Sequence, residues 1–181
     1  MTKAFDRTTE TEIGDAGNRS SVQEGKEAVM SILREAGVKF EVYELQGDQA
    51  ATVESAARSI GVDPSMIVKN VVFTSGDEAV VVLCSGDRSV DRSKLSAALG
   101  KNLRLASRDE VPRLTGFAAG GVPPFGHRGE VRVRVVADRS VLRFEEVVTS
   151  AGSPSSLLRI RTEDLLRLSG AVVLDVSKEN R

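Results

Sequence analysis

The chain of 181 residues is 40% apolar and 28% charged, a composition that excludes wholesale disorder, collagen and a bare coiled coil and suits one domain. At that length folding removes roughly 70% of the unfolded chain's surface from water, so a core forms without metal or disulfide staples. The formal charge of -1 hides an asymmetry: residues 1–60 carry 7 Lys/Arg against 11 Asp/Glu, and residues 86–143 carry 12 against 6. A central excess of positive charge fits an anionic partner such as nucleic acid, or equally a solvated face.

Residues 1–20 are polar, charged and free of any hydrophobic signal region, and they are expected to form a disordered tail. Val22, Ala28, Val29, Ile32, Leu33 and Ala36 then recur at helical spacing, and Gly37 stops the helix before a strand at residues 38–43. Thr52 is the expected N-cap of the next helix, with Ser55 rather than an acid at the third position. Its apolar stripe, Val53, Ala56, Ala57 and Ile60, runs up to Gly61. Asp63-Pro64 marks a turn.

Two β-branched runs, residues 67–74 and 79–84, are separated by Ser75-Gly76-Asp77-Glu78 and predict a hairpin in the middle of a sheet. Asp91 caps a helix that Gly100 ends, residues 103–106 form a short strand, and Ser107 with Glu110 makes a capping-box pattern. Strands follow at 131–136, 144–149 and 157–161, then a helix at 162–168, a last strand at 171–175 and a tail at 177–181. The sum is an α+β domain with a mixed, mostly antiparallel sheet surrounded by helices. Arg132 and Arg134 share one strand face, with Val131, Val133 and Val135 on the other, so both arginines are free to meet phosphate.

Familiar catalytic constellations are missing. His127 is the only histidine and Cys84 the only cysteine, so no His/Cys metal cluster or Cys–His pair is expected, and no metal or cofactor is called for. Cys84 lies in an apolar strand, where a thiol is inert, and one thiol without a partner fits a reducing cytoplasm. Phosphate-binding glycine loops, a dinucleotide fingerprint and Gly-x-Ser-x-Gly are absent. No apolar run approaches the length of a membrane span, so no membrane partner is expected. With no tryptophan and 4% aromatics, stacking platforms for single strands are scarce.

Two oddities remain. Lys69 interrupts the apolar run Met66-Ile67-Val68-Lys69-Asn70-Val71-Val72-Phe73, either because it snorkels from an open strand end or because its ammonium faces a pocket. The stretch Thr115-Gly116-Phe117-Ala118-Ala119-Gly120-Gly121-Val122-Pro123-Pro124-Phe125-Gly126-His127 combines glycines that allow close backbone approach with prolines that fix the turn. It forms either a stiff ligand-facing wall or a surface loop, and His127 is better placed as a loop hydrogen-bonder than as a base.

The order Val68-Lys69-Asn70-Val71-Val72-Phe73, Gly86-Asp87-Arg88 with Asp91 to Leu95, Thr115-Gly116-Phe117 to Phe125-Gly126, and Ser150-Ala151-Gly152 resembles the YbaK family of aminoacyl-tRNA deacylases. That family is related to the editing domain of bacterial prolyl-tRNA synthetases. The similarity spans residues 21–176 and implies an α+β editing fold that hydrolyses the ester of mischarged tRNA in trans. By resemblance, Lys69 is the catalytic side chain, while Asn70, Gly120, Gly121, Val122, Pro123, Ser150 and Gly152 bind substrate. Arg132 and Arg134 are the expected tRNA contacts, and an aminoacyl-tRNA synthetase is a candidate partner. Two departures stand out: Ser153-Pro154-Ser155 replaces the family's basic segment, and Leu157 replaces a pocket acid. They bear on the accepted amino acid more than on the reaction, and the altered Ser153-Pro154-Ser155 segment leaves open an alternative, a tRNA- or nucleotide-binding module that keeps the fold without hydrolysis.

Overall fold

In the computed structural model, which describes residues 9–180, the run Ala79-Val80-Val81-Val82-Leu83-Cys84 is completely buried. Such a run is covered on both faces, which fixes its strand at the centre of a sheet. That strand, β3 (Glu78–Ser85), pairs antiparallel with β2 (Val68–Thr74) and parallel with β6 (Arg132–Asp138). The short β5 (Arg104–Leu105) flanks β2, and β9 (Val172–Leu174) flanks β6, giving the order β5-β2-β3-β6-β9. A second, antiparallel sheet has the order β1-β8-β7, from β1 (Phe40–Glu44), β8 (Ser156–Arg161) and β7 (Glu146–Ser153). A third ladder joins β4 (Arg88–Val90) to β10 (Ser177–Glu179). The fold is α+β with mixed, mostly antiparallel strands, distributed over three sheets.

Alternation along the central strands separates two cores. Val72, Val81 and Leu83 face a core completed by Val29 and Leu33 of α1 (Thr9–Ala36), Leu114 of α4 (Val111–Thr115) and Val147 and Leu158 of the second sheet. Phe73, Val80 and Val82 face the other, covered by Leu95 of α3 (Arg92–Leu99) and by Val176. A third cluster joins Ala57 of α2 (Val53–Ile60) to Ile67 and Val148, while α5 (Thr162–Ser169) buries Leu165.

Several local expectations meet their physical reasons. Asp91 accepts the Ser93 and Lys94 amides at the start of α3, and Gly100 ends it in the left-handed region. Thr52 and Ser55 cap each other at the start of α2 without an acid, because the serine hydroxyl reaches the Thr52 amide at 3.0 Å.

Both segments expected as tails carry regular structure where they can be described. Residues 9–20 are the first turns of α1, continuous with the amphipathic helix whose Val29 and Leu33 are buried, whereas residues 1–8 lie outside the described residues. At the other end, residues 177–179 form β10 because Asp138 captures this segment. Its carboxylate accepts from the Val176 amide and the Ser177 hydroxyl, both at 2.9 Å. Asp138 is 1% exposed; burial pushes its carboxyl up, and the hydrogen bonds from Ser140, Val176 and Ser177 outweigh this and hold it below its ordinary value. No helix among the described residues is long and apolar enough to cross a membrane.

Candidate active site

Where β2 leaves Ile67, a parallel bridge from Ile67 to Val148 brings the two larger sheets together, and a cleft of about 300 Å³ opens beside the junction. Lys69 and Asn70 supply one wall, Gly120 and Val122 a second, and Ser150, Pro154 and Leu157 a third. The start of α2 with its cap Thr52 closes the remaining side. Among the described residues, no carboxylate lines this cleft and Lys69 is its one charged group.

Successive side chains of a strand leave on opposite faces, so Lys69 and Asn70 diverge. Asn70 turns toward the first core. Its Nδ2 donates to the Val122 carbonyl at 2.8 Å and to Thr149 Oγ1 at 2.9 Å, while Thr149 donates to the Val68 carbonyl at 3.3 Å. A carbonyl only accepts, so this contact fixes which end of the amide is the nitrogen and leaves Oδ1 buried without a partner among the described residues. Lys69 turns the other way, and its ammonium donates to the Arg88 carbonyl of β4. The lysine is therefore a half-buried cation held at a sheet corner, opposite the buried Cys84 in the register. Burial pushes the Cys84 thiol up to about 11, which keeps it protonated and unreactive.

The glycine-rich stretch is a packed wall. Phe117, Val122 and Phe125 are buried in the first core, and Gly116 ends α4 with φ +80°. Gly120 and Gly121 differ in purpose. Gly120 adopts φ +84°, and a Cβ there would meet only the Pro154 side chain, at 3.9 Å, whereas a Cβ on Gly121 would lie 2.7 Å from the backbone of Ser153 and Pro154. The first shapes the cleft and the second lets the β7–β8 turn close on the loop. Pro123 does not line the cleft; its carbonyl accepts Nε2–H of His127 at 2.8 Å. Burial depresses the His127 pKa, partly opposed by that bond, so a neutral imidazole staples the loop and does not face substrate.

Ser150 and Gly152 also separate. Ser150 lines the cleft and its Oγ accepts the Gly152 amide at 3.1 Å. Gly152, at φ +96° beside a register shift in β7, packs against α1 instead. A Cβ there would sit 2.7 Å from the Gly25 carbonyl, and one on Gly25 would sit 2.8 Å from the Gly152 carbonyl. Arg132 and Arg134 do not join the cleft. They lie opposite Glu78 and Val80, whereas Lys69 lies opposite Cys84, about 13 to 20 Å further along β3. Thr149 was not singled out in the sequence; its one signal is a hydroxyl in the buried run Val147-Val148-Thr149.

This arrangement offers one cation and, among the described residues, no acid or histidine lining the cleft. A family model described as "Aminoacyl-tRNA editing domain" matches residues 48–168, and the chain belongs to that family. It is 36% identical over 132 residues to an uncharacterized Bacillus subtilis protein, YwhH, covering 72% of this chain and 83% of that one. It is 30% identical over 146 residues to the multifunctional Ser/Thr-tRNA deacylase ProXp-y of Escherichia coli, covering 78% of this chain and 86% of the relative. A solved structure described as a candidate trans-editing enzyme for prolyl tRNA synthetase superposes with a TM-score of 0.77 at 35% identity, over 85% of this chain and 97% of that one.

Proposed function

We propose that the protein is a deacylase that hydrolyses the ester of mischarged tRNA in trans, with Lys69 as its catalytic cation. The observation that carries this reading is the carboxylate-free cleft lined by Lys69, Asn70, Gly120 and Ser150 from three chain segments. Water attacks the ester carbonyl, the bond to the ribose oxygen breaks, and a proton passes to that oxygen, releasing amino acid and intact tRNA. With His127 tied to Pro123, the ribose hydroxyl next to the ester orients the water, and the protein supplies positioning and charge. Lys69 exchanges the Arg88 carbonyl for the substrate's phosphate or developing oxyanion. Asn70 and Val122 hold the wall, and Gly120 lets the backbone approach the ester.

Leu45, Ala56, Ile67 and Leu157 make the cleft apolar, favouring a small uncharged amino acid. Mischarged tRNA is the partner, an aminoacyl-tRNA synthetase its supplier, and the cytoplasm the place of reaction. No cofactor enters the scheme. Deacylation of a panel of mischarged tRNAs tests the proposal, and release of at least one amino acid is the expected result. The second reading, a binding module without hydrolysis, is favoured by the bond from Lys69 to Arg88 and by Pro154 at the cleft's lip. Binding without release from any member of the panel selects it.

A further inference from the structure

On the face of β2 opposite the cleft lies a groove of about 360 Å³, bounded by β2, β4, β5 and the start of α3. Val71, Phe73 and Val90 form its floor, and Lys69, Arg92 and Leu105 its rim. Its volume falls within the range of small-ligand sites. Leu105 is 60% exposed, the largest exposure among the big apolar residues described. No carboxylate lines the groove, and Arg92 has no ion-pair partner among the described residues. The adjacent Asp91 is engaged by the Ser93 and Lys94 amides of α3.

Lys69 lines both the groove and the cleft, and the edge of β2 lies between them. The carbonyls of Val68 and Val72 turn away from β3, accepting Thr149 Oγ1 and the Ala106 amide. Strand alternation turns the peptide groups of Asn70 the same way. The flanking β5 pairs only with Phe73 and Thr74, so Asn70 presents its backbone on an open stretch of edge between the two depressions.

We propose that this groove binds a nucleotide of a single-stranded RNA 3′ end. Its base lies over Val71, Val90 and Leu105, and a phosphate sits between Lys69 and Arg92. The strand then crosses the β2 edge at Asn70, carrying the terminal ribose into the cleft. Only this last step rests on the deacylase reading, since a nucleotide binds the groove with or without an ester. Phe73 is buried and offers no stacking face, so recognition is by apolar contact and charge and tolerates different bases.

The test uses the uncharged trinucleotide CCA with a free 3′-hydroxyl, titrated into the full chain and followed by amide chemical shifts and by anisotropy of a 5′-labelled form. Shifts are expected in residues 69–73, 88–92 and 105, with an affinity that falls as salt rises. Leu105→Glu and Arg92→Glu each weaken binding at least tenfold while the melting curve stays as in wild type, both side chains being at the surface. Shifts confined to the cleft, or wild-type affinity in both variants, overturn the proposal. Groove-dependent binding by a protein that releases no amino acid from any mischarged tRNA leaves the groove standing and removes the deacylase reading. Active hydrolysis with both variants binding CCA as wild type does the reverse.

Discussion

Asn70 donates to Thr149 across the junction of the two larger sheets at 2.9 Å, and Thr149 hands its own proton to the carbonyl of Val68, two residues before Asn70. Strand β2 is thereby clasped at one end by a side chain of β7. Thr149→Val keeps the shape and removes both bonds, leaving the Val68 carbonyl and one Asn70 N–H without their partner. The expected cost is about 1–3 kcal/mol, a fall in melting temperature of roughly 2–12 °C at this chain length. Calorimetry of the variant checks it, and an unchanged melting point would show that the clasp carries no stability.

Lys69→Ala should keep the fold and lose hydrolysis. Loss of one charge-stabilising donor costs about 2.7–4 kcal/mol of transition-state stabilisation, or roughly 100- to 1000-fold in rate. Its bond to the Arg88 carbonyl is one hydrogen bond at the edge of a sheet, so the stability change stays near about 1–2 kcal/mol. Lys69→Arg retains charge but not the compact ammonium, and is expected to recover little activity. Single-turnover deacylation beside circular dichroism separates these effects, and near-wild-type turnover in folded Lys69→Ala would remove the residue from the mechanism.

Three glycines expected to act alike should respond differently to alanine. Gly152→Ala drives a Cβ into the Gly25 carbonyl at a positive φ and should lower stability most. Gly121→Ala meets the Ser153–Pro154 backbone and should open the lip of the cleft. Gly120→Ala has room, and carries only the left-handed penalty of about 1–2 kcal/mol. Thermal melts of the three proteins rank them, and a Gly152→Ala protein as stable as Gly120→Ala would refute the close packing of α1 on β7.

The single histidine sets a pH dependence. Burial holds the His127 pKa below its ordinary 6.5, so the unfolded chain takes up a proton at a higher pH than the fold does. Its contribution to stability is complete above pH 6.5 and is lost as pH falls from there through the lower folded value. His127→Gln keeps a donor for the Pro123 carbonyl and removes the titration. Denaturant melts between pH 7.5 and pH 5.5 should show a steeper loss in wild type than in the variant; parallel curves would contradict the assignment.

Arg132 and Arg134 lie well away from the cleft, so a role for them in tRNA binding requires contact with the body of the tRNA and not with its aminoacyl end. Replacing both with Glu should weaken binding for every tRNA and lower the slope of log affinity against log salt by about one per arginine. Turnover at saturating substrate should persist. Unchanged affinity at low salt would assign these side chains to a solvated face.

The central hairpin, the capped helices and the fold class are all legible in the chain because each rests on local chemistry. The buried run at 79–84 and the Asp91 and Gly100 caps need no distant partner to be recognised. The lysine at 69 stands out for the same reason. What stays hidden depends on contacts between remote residues. Gly120, Gly121 and Gly152 are indistinguishable as letters, and only the approach of Pro154 or Gly25 separates a residue that shapes the cleft from residues that let backbones touch. Strand β10 is likewise invisible: Ser-Lys-Glu has no strand signature, and it pairs because Asp138, 39 residues earlier, holds Ser177 in place.

That capture makes the order of synthesis matter. Strand β4 emerges early, yet the strand that pairs with it begins only at Ser177, 89 residues after Arg88, and the buried carboxylate of Asp138 lacks two of its hydrogen-bond donors until the same segment arrives. A nascent chain therefore cannot finish this domain until translation has passed residue 179. Until then the face of the central sheet that Val176 covers stays incompletely shielded, exposing Val136 and its neighbours to other apolar surfaces.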